Sequence, residues 1–319
     1  MPEEHTFLKT AVIGVGYLGR FHAQKYSRLP DSRLTAVVDA DRDAAASVAA
    51  ELNVSSVQDY RELFGRVDAV SLAVPTPLHH RIGCDLLSHG IHVLIEKPIA
   101  TTTAEARELI EVAAQHDCIL QVGHLERFNP AIVAAVARLK TPRFVESHRL
   151  APFKQRGSDV SVVLDLMIHD IDLIQELVGT PIDSIDAIGA SVFSGEIDIV
   201  NARLHFQGGC VANTTASRIS LKQERKIRIF QDDAYLSIDM QQKILSVIRK
   251  KDAAATVESP AQVSIEEESF DQGDALSDEI ASFLQAVRTR RPPLVTGEDG
   301  LRALETAMRI TELVQKSAR

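Results

Sequence analysis

Two successive patterns predict an α/β domain with a parallel sheet, followed by an α+β domain with a mostly antiparallel, open-faced sheet. Up to about residue 122, short apolar strands alternate with helical segments, the order that parallel crossover connections need. Past residue 140, β-rich segments crowd together with short turns such as Gln207-Gly208-Gly209, which suits antiparallel neighbours. At 319 residues the chain is also long for a single core. The expected division is therefore 1–122 and 123–319.

The first strand runs into Gly14-Val15-Gly16-Tyr17-Leu18-Gly19, three glycines spaced G-x-G-x-x-G ahead of a helical segment from Phe21. In such a turn the first glycine permits the tight bend and the second lets the backbone approach a pyrophosphate. The third lets helix and strand pack closely, and the helix N-terminus offers a positive dipole end. The next strand, 33–38, ends at Asp39, 20 residues after Gly19, where a carboxylate holds a ribose diol. This order predicts a dinucleotide-binding Rossmann domain, with Gly14, Gly16, Tyr17, Leu18, Gly19 and Asp39 against the cofactor. The Asp39 carboxylate would repel the extra phosphate of NADP, so NAD is favoured. Arg42 has two readings, a partner for that phosphate or the solvated start of a helix.

A helix over 43–52, a short segment at 54–57 and a helix at 60–64 follow. The strand 67–74 ends at Pro75-Thr76-Pro77, and a helix runs to about residue 89. Helix 103–116 is amphipathic, with Ala106, Leu109, Ile110 and Ala113 at helical spacing, and strand 118–122 closes the series. Between those helices lies His92-Val93-Leu94-Ile95-Glu96-Lys97-Pro98. Pro98 biases Lys97 toward an extended conformation, so the strand ends there. Ligands of open α/β sheets bind beyond the carboxyl ends of the strands. Lys97 is therefore either a solvated strand terminus or a catalytic group at the cofactor crevice.

In the second half, strands are expected at 143–150, 183–193, 198–206, 210–218, 225–230, 234–239 and 243–249. A polar connector or edge over 250–270 precedes helices at 275–289 and 297–317. One apolar helix, 162–178, interrupts the strands and ends at the capping residue Gly179. Asp165, His169 and Asp172 fall at i, i+4 and i+7 and share one stripe, with Asp170 pointing elsewhere. That stripe is either a satisfied structural network or an acid–base histidine whose tautomer Asp165 fixes. A metal is not expected, because no third strong ligand accompanies the Asp165–His169 pair. Arg149, Lys154 and Arg156 just before the helix are either a diphosphate clamp or a solvated basic loop. Arg127 and Asn129 either touch the nicotinamide side or the substrate, or cap a helix beginning near Pro130.

An apolar content of 45% and a charged content of 25% are those of a soluble globular protein. The net charge of −9 argues against general binding to nucleic acid or anionic membranes. Cys84, Cys118 and Cys210 are too few and too scattered for a disulfide framework or a zinc site. The N-terminus lacks a basic start followed by an apolar core, and no apolar run approaches membrane-spanning length, so a cytoplasmic protein is expected.

Together, Gly14-x-Gly16-x-x-Gly19, Glu96-Lys97-Pro98 and Asp165-x-x-x-His169-x-x-Asp172 resemble the signatures of the glucose-fructose oxidoreductase/inositol dehydrogenase/rhizopine-catabolism (Gfo/Idh/MocA) family. Pro75-Thr76-Pro77-Leu78-His79 is similar to the family's P-x-x-x-H, and 277–284 and 291–300 are similar to its C-terminal pattern. The resemblance covers essentially the whole chain. It implies hydride transfer from a sugar or polyol carbinol to nicotinamide, with Lys97, Asp165 and His169 as the catalytic set. Cofactor contacts are then expected from Arg42, Pro75, Thr76, His79, Glu96, Lys97 and Arg127 as well as the glycine turn. Substrate contacts are expected from Lys97, Arg127, Asn129, Arg149, Lys154, Arg156, His169 and Asp172. Where the family often has a glycine two before the helix histidine, this chain has Met167.

Residues 123–130, 149–156 and 165–172 further resemble a subgroup that oxidises the C3 hydroxyl of UDP-N-acetylglucosamine to a ketone, which a separate aminotransferase then aminates. The resemblance thus implies a homodimeric or homotetrameric enzyme of lipopolysaccharide or lipid A precursor synthesis. Other readings are a dehydrogenase of an unactivated sugar or inositol, a reductase of an imine or tetrapyrrole, and an NAD-binding regulatory protein without turnover.

Overall fold

A computed structural model describes residues 7–154, 160–251, 259 and 262–317. In its first unit, β1 (Leu8–Ile13), β2 (Ser32–Val38), β3 (Ser55–Val57), β4 (Ala69–Leu72), β5 (His92–Glu96) and β6 (Leu120–Gly123) form one sheet. The strand order is β3-β2-β1-β4-β5-β6 and every pairing is parallel. The order reverses at β1, so the ends of β1 and β4 flank the switch point where such sheets bind ligands. The crossovers are α1 (Tyr17–Tyr26), α2 (Arg42–Leu52), α3 (His79–Ser88) and α4 (Thr103–Gln115). Every residue of β4 is buried, and only Glu96 of β5 is not, as expected of central strands covered on both faces. The start of α4 is set by a capping box. The Thr102 hydroxyl accepts from the Glu105 N–H, and the Glu105 carboxylate accepts from the Thr102 N–H.

The second unit holds β7 (Pro142–Leu150), β8 (Ile182–Ala190), β9 (Ile199–Phe206), β10 (Val211–Ser217), β11 (Glu224–Gln231), β12 (Ala234–Asp239), β13 (Ile244–Lys250) and β14 (Val263–Ser269). Their order is β14-β13-β12-β11-β7-β10-β9-β8. All pairings are antiparallel except β7 with β10, which is parallel. The exception follows from the path. The chain leaves β7 through helix α6 (Ile168–Val178) and comes back to it only after β8 and β9. Burial alternates along β11 and β12, which places Ile227, Ile229, Leu236 and Ile238 on the core face and Lys226, Arg228, Ser237 and Asp239, with the stacked rings of Phe230 and Tyr235, on the other. That core is closed by α5 (Pro130–Val136), by Ile171 and Ile174 of α6, and by Ile310 and Val314 further along the chain. The polar segment expected at 250–270 contains the edge strand β14.

The division departs from the expected one at its C-terminal side. The first unit ends at Leu125 but takes back Asp274–Arg302. The reason is the apolar face of α7 (Ala275–Thr289). Its Ile280, Phe283, Leu284 and Val287 are buried in one cluster with Val12, Ala23, Tyr26 and Leu94. The last helix, α8, spans Gly297–Ser317.

Candidate active site

The glycine turn shows three different uses of one residue. Gly14 has φ of 83°, and a Cβ there would stand 2.7 Å from the Ala73 carbonyl oxygen. A Cβ on Gly19 would lie 1.7 Å from the Gly14 carbonyl oxygen, so α1 could not close on β1. Both glycines serve the fold itself. Gly16 has no atom within 4 Å of a built Cβ, so the protein's own packing does not require a glycine there. What the missing side chain leaves open is the approach to the N-terminus of α1, where no side chain caps the helix and no acid occupies the first turn. A positive dipole end and an unobstructed backbone fit a dinucleotide pyrophosphate. Asp39, half-buried, sits at the rim of the turn. Its Oδ2 accepts from the Val15 N–H at 2.8 Å and its Oδ1 from the Asp41 N–H at 2.9 Å. Tyr17 is 68% exposed and Leu18 36% exposed at the start of α1, and Arg42 is exposed at the start of α2. Pro75 and Thr76 follow β4, with Thr76 opening a short 3-10 turn.

Lys97 stands half-buried immediately beyond β5, and the Lys97–Pro98 peptide is cis. Two of its expected companions have other duties. His79 is 1% exposed, with Nδ1 3.0 Å from the Pro98 carbonyl oxygen and Nε2 2.9 Å from that of Val74. Burial lowers its pKa even against these two carbonyls. His79 ties the segment after β4 to the turn that carries Lys97. Glu96 turns inward as well. Its Oε1 lies 3.0 Å from His22 Nε2, and its Oε2 accepts from the Lys97 N–H at 3.3 Å. Both placements have one cause: a polar group inside a sheet-and-helix layer must find its hydrogen bonds there.

In the second unit, residues 162–178 do not form one regular helix. Val163–Met167 is a π-turn, and α6 begins at Ile168. A π-turn has a longer repeat than an α-turn, so the expected i, i+4, i+7 stripe is broken at Asp165; such turns recur at functional sites. Asp165 and His169 are half-buried. Asp172, expected beside them, is 2% exposed and accepts twice from Arg127, from Nε at 2.7 Å and from Nη2 at 2.8 Å. Arg127 Nη1 reaches Glu176 at 2.8 Å. Arg127 and Asp172 are thus a buried bidentate pair.

Arg149 is paired within the second unit too. At 3% exposure it donates from Nε and Nη2 to Asp170, at 2.8 and 3.1 Å, and from Nη1 to Glu126 at 3.0 Å. Burial pushes the Asp170 carboxyl up, against the pull of the Arg149 guanidinium. Asn129 is the N-cap of α5, accepting from the Ala131 N–H and donating to the Met240 carbonyl and to Glu126. Lys154 is exposed, and Arg156 lies outside the described residues.

The sequence reading missed His22 and Glu279, which meet Glu96 behind Lys97. A signal for both existed. His22 lies with Gly19, Ala23 and Tyr26 on the buried face of α1, and Glu279 lies in the buried stripe of α7 with Ile280 and Phe283. A charged or titratable side chain inside an apolar stripe implies a partner from elsewhere.

A Rossmann domain with an open approach to a helix N-terminus, an acid after the second strand and a lysine at a strand tip are features of a nicotinamide-dependent oxidoreductase. Residues 8–124 match the NAD-binding Rossmann-fold model of the Gfo/Idh/MocA oxidoreductase family, and residues 139–319 match that family's C-terminal alpha/beta domain. The chain belongs to this family. It is 39% identical over 311 residues to the UDP-N-acetylglucosamine 3-dehydrogenase of Acidithiobacillus ferrooxidans, covering 97% of each chain. A solved structure of that enzyme, GnnA, superposes with a TM-score of 0.91 at 38% identity, covering 97% of this chain and 98% of the other. The scyllo-inositol 2-dehydrogenase (NAD(+)) of Bacillus subtilis is 24% identical over 325 residues, covering 95% of this chain and 93% of its own. Among the described residues, no helix is long and apolar enough to cross a membrane.

Proposed function

We propose that this chain oxidises the C3 hydroxyl of a UDP-N-acetylhexosamine, UDP-N-acetylglucosamine first among them, to the 3-keto sugar. The observation that carries the reading is 39% identity along 97% of both chains with a dehydrogenase of that specificity. The presence of Lys97, Asp165 and His169 in one chain supports it, because a regulatory protein that only binds NAD has no need of them.

In this reading His169 takes the hydroxyl proton while Asp165 holds the imidazole in the right tautomer. Histidine, with an ordinary pKa of about 6.5, suits the role of base at neutral pH. Lys97 donates a hydrogen bond to the same oxygen and lowers the pKa of the hydroxyl. The glycine turn and Asp39 would hold NAD, which would supply the acceptor for the carbinol hydride. The C–H and O–H bonds break and a C=O forms, and the proton passes from the imidazole to solvent. The diphosphate falls to Lys154 and Arg156, because Arg149 is spent on Asp170 and Glu126. The 3-keto product suits a following aminotransferase. We accordingly place the chain in cytoplasmic synthesis of lipopolysaccharide or lipid A precursors, as a homodimer or homotetramer.

The test is NADH absorbance with NAD and a panel of UDP-sugars, free sugars and inositols, with a ketone trap or aminotransferase to pull the equilibrium. Turnover confined to UDP-N-acetylglucosamine is the expected result. Turnover only with unphosphorylated polyols would overturn the nucleotide-sugar assignment.

A further inference from the structure

Behind Lys97, inside the first unit, a line of polar groups runs between strands and helices. The Tyr26 hydroxyl lies 3.0 Å from Ser71 Oγ, Ser71 Oγ lies 3.0 Å from His22 Nδ1, and His22 Nε2 lies 3.0 Å from Glu96 Oε1. With Tyr26 donating to Ser71, Ser71 to Nδ1 and Nε2 to Glu96, each donor meets one acceptor and the line ends on the Glu96 carboxylate. The Lys97 N–H donates to the other Glu96 oxygen at 3.3 Å. Beside this end lies Glu279. It is 0% exposed, neither carboxyl oxygen has a hydrogen-bond partner among the described residues, and it lies within 4.8 Å of the ligating atoms of His22 and Glu96. The space is tight, since a Cβ on Gly123 would stand 3.0 Å from the Glu96 carboxyl.

Two ionised carboxylates cannot share a buried site this small without a counter-charge or a proton. The two are not equivalent. Glu96 accepts from His22 and from a main-chain amide and feels the Lys97 ammonium, whereas Glu279 has no donor among the described residues. The charge belongs on Glu96 and the proton on Glu279. We propose that Glu96 and Glu279 are a carboxylate and carboxylic acid pair that positions Lys97: ionised Glu96 anchors the Lys97 main chain and acts on its ammonium, and neutral Glu279 fills the adjoining space without adding a second charge.

The titration behaviour agrees. Burial, then the Glu96 charge, pushes the Glu279 carboxyl well above the ordinary carboxylate range. Burial opposes the Glu96 charge, but the His22 hydrogen bond, the Lys97 charge and the Lys97 N–H outweigh it and hold that carboxyl low. The titratable groups that face Glu279 are His22 and Tyr26 of α1 and Glu96 of β5. A carboxyl whose folded pKa is raised contributes its full stability below the unfolded pKa of about 4.3 and loses it as pH rises through the folded value.

Three measurements test this. In infrared spectra of the intact protein in deuterium oxide at neutral pH, wild type should show a protonated-carboxyl C=O stretch that Glu279→Gln lacks. Glu279→Gln, fixed neutral, should melt above wild type at alkaline pH, with the gap widening as pH rises. The kinetic arm rests on the sugar-dehydrogenase reading: Glu96→Gln should lower kcat at least tenfold and move its pH profile, with the Kd for NAD unchanged. The proposal is overturned by the absence of the infrared band, by a stoichiometric divalent metal retained through dialysis against a chelator, or by a wild-type kcat and pH profile in Glu96→Gln. Failure of wild type to turn over any sugar would sink the functional reading instead, and would leave the infrared and melting results to decide the pair.

Discussion

Arg149→Met separates a structural guanidinium from a substrate-binding one. The methionine keeps an unbranched apolar stem and removes the planar fork that donates from three nitrogens to Asp170 and Glu126. Asp170 is 0% exposed, so the change leaves an uncompensated carboxylate inside the second unit. Breaking one side of a buried ion pair costs about 3–5 kcal/mol. For a folding unit of this size, about 2–4 °C of Tm follows each kcal/mol, so the melting temperature should fall by roughly 10 °C. Differential scanning fluorimetry or calorimetry, with and without NAD, reads this directly. Arg149→Met combined with Asp170→Leu should recover much of the loss, because the orphaned charge is gone. The opposite pattern would refute the argument. A Tm within about 1–2 °C of wild type, the range of a surface substitution, with a raised KM for the nucleotide sugar, would make Arg149 a phosphate ligand after all.

Gly19→Ala should unfold or loosen the first unit, given a 1.7 Å approach to the Gly14 carbonyl, whereas Gly16→Ala should melt like wild type and bind NAD about tenfold more weakly, a difference of about 1.4 kcal/mol. Comparing Tm with NAD titration in the two variants checks both, and a Gly16→Ala protein with unchanged NAD affinity would refute the pyrophosphate assignment. Lys97→Ala should lower kcat by about 10²–10⁴, the range for a lost acid–base or polarising group, while the Kd for NAD stays put. If NAD binding is lost with it, Lys97 is chiefly a cofactor ligand. Asp198, 0% exposed, pays for burial but accepts from the Ser194 hydroxyl and from the N–H groups of Val192, Phe193 and Ser194, which brings its carboxyl down to about 2. Its contribution is present above the ordinary carboxylate pKa of about 3.9 and is lost as pH falls toward 2. The Tm difference between wild type and Asp198→Asn should therefore shrink as pH falls from 5 toward 2, and a constant difference would contradict it.

The parts of the site that could be read in the sequence are those encoded in short windows. The three glycines, the acid after β2 and the lysine ending β5 follow from backbone geometry, the helix dipole and the place of a strand end, and all need only local chain. Asp165 and His169 were legible as polar residues on an apolar helix, but the π-turn that re-aims them was not. A π-turn changes the helical phase without changing residue type, so hydrophobic periodicity does not report it.

Tertiary structure decided which charged residues pair with one another. Arg127 with Asp172, 45 positions apart, and Arg149 with Asp170 have side chains as suited to phosphate as any on the chain. They pair because burial makes an unmatched charge costly. His79 and Glu96 carry family motifs and yet serve the turn around Lys97 from within. Glu279 reaches Glu96 because α7 returns to the first unit after the whole antiparallel sheet has been built. By itself the sequence determined the α/β and α+β order, the dinucleotide turn and the strand that ends just before Lys97. Which polar groups remain for chemistry was decided only when long-range packing had satisfied the others.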